Sequence, residues 1–277
     1  MSRRRSQAKA GIRQSGMFRG DGLGARVMRS SALTVMGYGS SQLLRLASNL
    51  ILTRLLFPEA FGMMALVYVF MQGLSNFSDV GIGPSIMQSK RGDDPDFLNT
   101  AWSIQVVRGV LLWLMTCGLA YPAAQFYDAP QLVQLLPVVG LTLVIFGFNP
   151  TRLETANRHL ALGRVTLIEL TSQVISLIVA ILLAWWTGSV WSLVISGLVS
   201  ALFHLALSTK YLPGERNRFL GEKSAARELI SFGKWIFFST MAGFLLSQGD
   251  KIVLGKYLSL ETLGVYNIGF FLASFPI

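Results

Sequence analysis

The sequence predicts an all-α polytopic membrane protein, and three observations carry that prediction. Of 277 residues, 52% are hydrophobic and only 14% are charged, where an ordinary soluble domain is roughly a quarter charged. Mean hydropathy is +0.52, and 18 Phe, 10 Met and 6 Trp bring more apolar surface than one soluble core of this size encloses. Apolar stretches of about 17 to 25 residues, the length that crosses a bilayer as helix, recur between short polar breaks. Hydrocarbon offers no hydrogen-bond partner, so each span satisfies its own backbone, and the period-2 alternation of a membrane barrel is missing.

Residues 1–30 carry Arg3, Arg4, Arg5, Lys9, Arg13, Arg19, Arg26 and Arg29 against one acid, Asp21. They read as a retained basic arm, because a cleavable signal needs a short apolar core and a small-residue cleavage site directly behind the charges. Eight spans follow, near 33–53, 60–78, 101–122, 132–149, 165–186, 189–209, 229–249 and 263–277. The first six form an N-terminal lobe over 31–210. The polar stretch 211–228 reads as a cytoplasmic linker and hinge, and 229–277 as the start of a second, incomplete lobe. With the N-terminus inside, nineteen of the 24 Lys and Arg fall on the inner side and three, Arg54, Lys251 and Lys256, on the outer side. Lys and Arg accumulate in cytoplasmic loops, which fixes the expected orientation. Tyr121, Tyr127, Trp185, Trp186 and Trp191 at outer ends, with Trp102 and Trp235 at inner ends, make the matching aromatic belts.

A shift of 202 residues lays Ile51–Gly62 over Val253–Gly264, with Leu52, Leu56, Glu59 and Gly62 identical and Arg54 answered by Lys256. A shared helix-end turn explains that much. The two segments also hold equivalent places in the topology, and parallel repeats of this kind build transporters around a central site. Six spans per repeat predicts about four more beyond Ile277, so the sequence is expected to be a piece of a longer chain.

Several function classes are disfavoured. The single cysteine, Cys117, lies in an apolar run, His159 and His204 are far apart without acidic companions, and no phosphate-cradling G-x-x-x-x-G-K-[ST] is present. No metal or cofactor is expected. Charges within spans are costly, roughly 2.5–3.5 kcal/mol at a helix centre, and three stand out: Arg45, Arg108 and Glu169. Two guanidiniums and one carboxylate between the inner mouth and mid-membrane suit a net-positive cavity for a phosphate or diphosphate; an internal Arg–Glu pair that locks packing is the alternative. Asp79, at the inner end of span 2, reads as a cap for a short following segment. Asp250, at the outer end of span 7, reads as a partner of Lys251 or a coupling residue. Gly140 and Gly147 predict a smooth packing face on span 4, and Arg152, Arg158 and Arg164 mark a surface stretch or a solvated loop.

At Ser41–Gly62, with Arg45, Asn49, Arg54, Pro58, Glu59 and Gly62, the chain resembles the Wzx-like polysaccharide-transporter family of the multidrug/oligosaccharidyl-lipid/polysaccharide exporter superfamily. Ser78–Gln88, Leu98–Trp102, Leu167–Leu170 and Ser247–Leu258 are similar to later segments of that family in the same order. The resemblance implies a flippase that moves polyprenyl-diphosphate-linked oligosaccharide repeat units to the outer leaflet of the bacterial inner membrane, for exopolysaccharide, capsule or O-antigen assembly. It implies two lobes around a cationic cavity, with Arg45 at a basic position of the first span and Arg108 as a further cavity residue. The implied partners are the membrane and the lipid-linked oligosaccharide, beside a polysaccharide polymerase and glycosyltransferases, with no nucleic acid. An exporter of small drugs and a non-transporting scaffold of a polysaccharide assembly machine are the competing expectations.

Overall fold

The computed structural model describes the backbone of residues 23–78 and 81–274, and the side chains of 35–78, 81–231 and 236–273. Most of the basic arm, Asp79, and the side chains of Lys234 and Trp235 therefore lie outside the described residues. Ten helices are described: α1 Leu23–Leu55, α2 Pro58–Phe77, α3 Ile82–Gln88, α4 Pro95–Phe126, α5 Leu132–Gly147, α6 Arg152–Arg158, α7 Leu162–Thr187, α8 Trp191–Tyr211, α9 Lys223–Tyr257 and α10 Leu260–Ser274. Four of them, α2, α4, α7 and α8, are long and apolar enough to cross a membrane, and α5–α6 and α9 raise the number to six if each bent pair is one span. α1 has the length, at 33 residues, but Tyr38, Gln42, Arg45 and Asn49 dilute its hydropathy. α10 spans only 15 residues.

The helices overrun the predicted spans where polar residues extend them beyond the apolar stretch. α4 begins at Pro95, where proline costs no intrahelical bond, and Asp94 caps it by accepting from the Asp96 N–H at 3.1 Å. α1 reaches back to Leu23, into the last residues of the expected arm.

α2 is the hub. It packs against α9 and α10 on one side and α4 and α5 on another, and Leu66, Leu132, Leu136 and Leu263 are fully buried where these meet. The α4–α5 pair bears out the expected glycine face: Gly140 backs onto Trp113 and Thr116, and Gly147 onto Gln105 and Gly109. α7 and α8 form a second antiparallel pair, turned at Gly188 (φ 56°), a left-handed position that glycine takes without steric cost. Ser176 donates to the Ser196 carbonyl and Ser200 to that of Ser172 across this pair. α1 lies along α7, with the Ser41 hydroxyl donating to Gln173 at 2.8 Å.

On the side of the membrane where α1 begins, here the near side, helix ends are closed by arginines from α6. Arg152 donates to the carbonyls of Thr209, Leu212 and Gly214 at the end of α8. Arg158, at the other end of α6, donates to Ile86, Met87 and Ser89 at the end of α3. A cation placed on orphan C-terminal carbonyls satisfies both their lone pairs and the helix dipole. The stretch expected to act as a hinge is laid along α4 as an extended strap. Its N–H groups at Arg218, Leu220 and Glu222 donate to Asn99, Ser103 and Thr100 in turn. Arg91 clasps the end of the strap, bridging Asp94 at 2.6 Å and Glu222 at 2.7 Å.

The 202-residue repeat reappears as geometry. α1 ends at Leu55 and α9 at Tyr257; α2 starts at Pro58 and α10 at Leu260. Both hairpins therefore turn in two residues, at positions that differ by the same offset as the sequence match.

Candidate functional site

α1 and α2 each present a polar stripe within an apolar helix. On α1, Tyr38, Gln42, Arg45 and Asn49 fall within about 60° of arc at 100° per residue. The exposed apolar residues Met36, Leu43 and Leu50 lie about 130° away on the same wheel. On α2, Tyr68, Gln72 and Asn76 recur at i, i+4 and i+8. Tyr68 is 60% exposed although its neighbours Val67 and Val69 are at 0% and 5%. With two flanks of α2 packed, this third flank is the open one.

The two stripes lie at matching depths on the two arms of the hairpin. Arg45 is ten residues before the end of α1 and Tyr68 ten residues after the start of α2, so each lies about 15 Å from the turn at 1.5 Å per residue. Gln42 and Gln72 follow at about 20 Å, and Tyr38 and Asn76 at about 26 Å, which gives a ladder of paired polar rungs descending toward the near side. Along each helix, Gln42 donates to the Tyr38 hydroxyl at 3.3 Å, Asn49 to the Arg45 carbonyl at 3.1 Å and Gln72 to Asn76 at 3.1 Å.

Arg108, on α4, reaches the end of α2, lower down. It donates to the Ser78 hydroxyl at 3.0 Å and the Ser75 carbonyl at 2.7 Å, about 10 Å nearer the near side than Arg45. A cavity of about 280 Å³ opens there, lined by Ser75, Gly83, Gln105, Arg108, Phe146 and Glu154. Glu154 lies on α6, outside the long spans, and burial raises its carboxyl above the usual carboxylate range. Glu169 lies on the α7 stripe turned to α1, between Thr166, which packs on Gly37, and Gln173, which bonds Ser41. Among the described residues no ion pair joins Glu169 to Arg45 or Arg108.

Asp250 gains a partner that sequence reading did not name. Its Oδ2 accepts from the Tyr266 hydroxyl of α10 at 2.5 Å, while the Lys251 ammonium lies 4.7 Å from the centre of the Phe270 ring. The helix turn points neighbouring residues about 100° apart, and α10 supplies a partner to each. Asp79 lies outside the described residues. Sequence reasoning missed Tyr38, Gln42, Tyr68, Gln72 and Asn76, whose only signal is their i, i+4 recurrence within apolar spans.

Chemically, the ladder offers a guanidinium fork suited to phosphate oxygens, amides that both donate and accept, and aromatic faces with a polar edge. Groups of these kinds are chemically suited to an anionic, hydroxyl-rich ligand.

A sequence model of the polysaccharide biosynthesis protein family matches residues 51–277. The chain is 26% identical over 232 residues to the succinoglycan biosynthesis transport protein ExoT of Rhizobium meliloti (strain 1021), covering 82% of this chain and 45% of that protein. It is 22% identical over 204 residues to the teichuronic acid biosynthesis protein TuaB of Bacillus subtilis (strain 168), with 72% and 41% covered. It is 20% identical over 259 residues to the lipopolysaccharide biosynthesis protein WzxC of Escherichia coli (strain K12), with 91% and 50% covered. The chain thus spans half or less of the length of these relatives. No solved structure shows a significant match. Since the family match takes in most of the chain, this all-helical, multi-pass membrane protein belongs to the polysaccharide biosynthesis protein family.

Proposed function

We propose that the protein is part of a flippase that carries polyprenyl-diphosphate-linked oligosaccharide repeat units across the bacterial inner membrane, with its N-terminus and its near side in the cytoplasm. The observation that carries this reading is the pair of polar stripes on α1 and α2, in which Arg45 and Tyr68 stand at equal depth, ten residues from the turn. Arg45 holds the diphosphate as a bidentate fork. The glycan follows along Gln42, Gln72, Tyr38 and Asn76, while the apolar tail stays in the lipid that surrounds α1. The helices on either side of the strap act as two lobes, 31–210 and 229–277. No bond is made or broken: the protein replaces water around the headgroup during its passage.

Support comes from three directions. The relatives are named for succinoglycan, teichuronic acid and lipopolysaccharide biosynthesis, the basic residues cluster on one side of the predicted spans, and the cleft carries a fixed positive charge. That charge disfavours an exporter of cationic drugs. The test is Arg45→Ala in the intact protein in cells. The expected result is normal insertion with lipid-linked repeat units accumulating on the inner leaflet and polymer output falling. Undiminished polymer from that variant would remove Arg45, and with it this reading of the cleft.

A further inference from the structure

The strap presents an aromatic and basic face on the near side, at the level of the first turns of α4. Its N–H groups are spent on Asn99, Ser103 and Thr100. Asn217 accepts from the Thr151 N–H at 3.1 Å and donates to the Thr151 hydroxyl at 2.7 Å. The strap is thereby fixed in place, yet Phe219 is 66% exposed and Leu220 40%. The Phe219 ring lies 4.7 Å from that of Trp102, and Phe148 stands edge-on to Trp102 at 6.1 Å. An exposed aromatic trio held by a fixed backbone is unfavourable in water. It suits the membrane interface, where such rings settle at headgroup level.

Positive charge gathers beside the trio. Arg216 and Arg218 flank Asn217, and because Asn217 bonds Thr151, the next residue of α6, Arg152, lies at the same junction with its guanidinium on the Leu212 and Gly214 carbonyls. Arg216 and Arg218 are exposed. Among the described residues no ion pair engages these three arginines or the one acid between them in sequence, Glu215. We propose that this face seats an anionic phospholipid of the adjoining leaflet, its phosphate held by Arg216 and Arg218 and its acyl chains lying against Phe219, Trp102 and Phe148. A guanidinium fork matches phosphate oxygens, and basic residues beside a span draw anionic lipid. A zwitterionic lipid carries the same phosphate but adds a cation that the arginines repel. A lipid held here braces the strap against α4 and so ties the helices on its two sides to the membrane surface. The inference does not depend on what the cleft between α1 and α2 carries.

The test reads lipid contact rather than transport. The purified protein is placed in phosphatidylcholine nanodiscs that hold a small share of either phosphatidylglycerol or phosphatidylcholine with brominated acyl chains, and tryptophan quenching is measured. The Trp102 signal is the difference between wild type and Trp102→Phe. Brominated phosphatidylglycerol is expected to quench it severalfold more than brominated phosphatidylcholine does. The paired Arg216→Gln, Arg218→Gln variant, which alters two exposed side chains, should lose that preference. Equal quenching by the two lipids in wild type would overturn the proposal. So would an undiminished preference in the folded paired variant, because it would then belong to the general basic charge of the near side. If the pair fails to fold, Arg218→Gln decides: a weakened preference supports the seat and an unchanged one overturns it. The discs contain no lipid-linked oligosaccharide, so the outcome stands apart from whether Arg45 binds a diphosphate.

Discussion

Arg45 and Tyr68 stand at equal depth on the two arms of one helical hairpin, each ten residues from a two-residue turn. An exposed tyrosine between buried valines and a charge within a long helix are each costly in lipid. Together they define the top of a polar cleft, and the residues one and two turns below keep it polar down to the near side.

Glycine on α4 separates packing from tolerance. Gly109 faces the Leu143 carbonyl, with a side-chain carbon at only 2.6 Å, whereas Gly118 has nothing within 4 Å. Gly109→Val should force α4 from α5 and lower the unfolding temperature in detergent by several degrees, while Gly118→Val leaves it nearly unchanged. Equal effects from the two variants would show that α4 does not pack on α5 through this face.

Arg152 ties α6 to the end of α8 through three carbonyls. Arg152→Ala leaves those acceptors short of a charged donor, at a cost of about 1.5–3 kcal/mol, and Arg152→Lys, a point charge without the fork, should recover only part of it. Thermal unfolding followed by tryptophan fluorescence checks the order of wild type, lysine and alanine. An alanine variant as stable as wild type would mean that water caps α8 equally well.

The clasp at the end of the strap titrates. Arg91 hydrogen-bonds to Glu222 and Asp94, and those bonds hold both carboxyls below their ordinary range. Carboxyls with depressed folded values stabilise fully above the unfolded values, near 4, and lose that contribution as pH falls through the folded ones. The unfolding temperature should therefore fall more steeply below about pH 4 in wild type than in Arg91→Ala, which has no clasp to lose. Parallel profiles would exclude the clasp as the source of acid sensitivity.

Orientation is tested by reporter fusions. Alkaline phosphatase inserted after Gly188, in the α7–α8 turn, should be active, and inserted after Gly214, in the strap, inactive; a cytoplasmic reporter should show the reverse. The opposite pattern would invert the membrane and with it the direction of the proposed passage.

Much of the fold was legible because a span leaves a hydropathic mark that does not depend on its neighbours. The hairpin turns, the α4–α5 glycine face and the 202-residue repeat were readable for the same reason. The functions of Arg152 and Arg158 were not: each caps a helix whose carbonyls lie more than fifty residues away in sequence, and nothing local marks that. The cleft was half legible. Arg45 announces itself by charge, but Tyr68 and Gln72 are ordinary residues until packing covers both other flanks of α2 and leaves theirs open. Asp250 was placed beside Lys251 because adjacency in sequence is visible, while its bond to Tyr266 depends on how α9 and α10 pair.

The most direct measurement is equilibrium binding of a polyprenyl-diphosphate-linked oligosaccharide to the purified protein in lipid nanodiscs. Losing a charged hydrogen-bonding partner of about 1.5–3 kcal/mol predicts that Arg45→Ala weakens binding by about tenfold or more. Arg91→Ala, in the strap clasp, should bind as wild type does. Equal affinity for wild type and Arg45→Ala would contradict the account, because the cleft between α1 and α2 would then not be where the diphosphate is held.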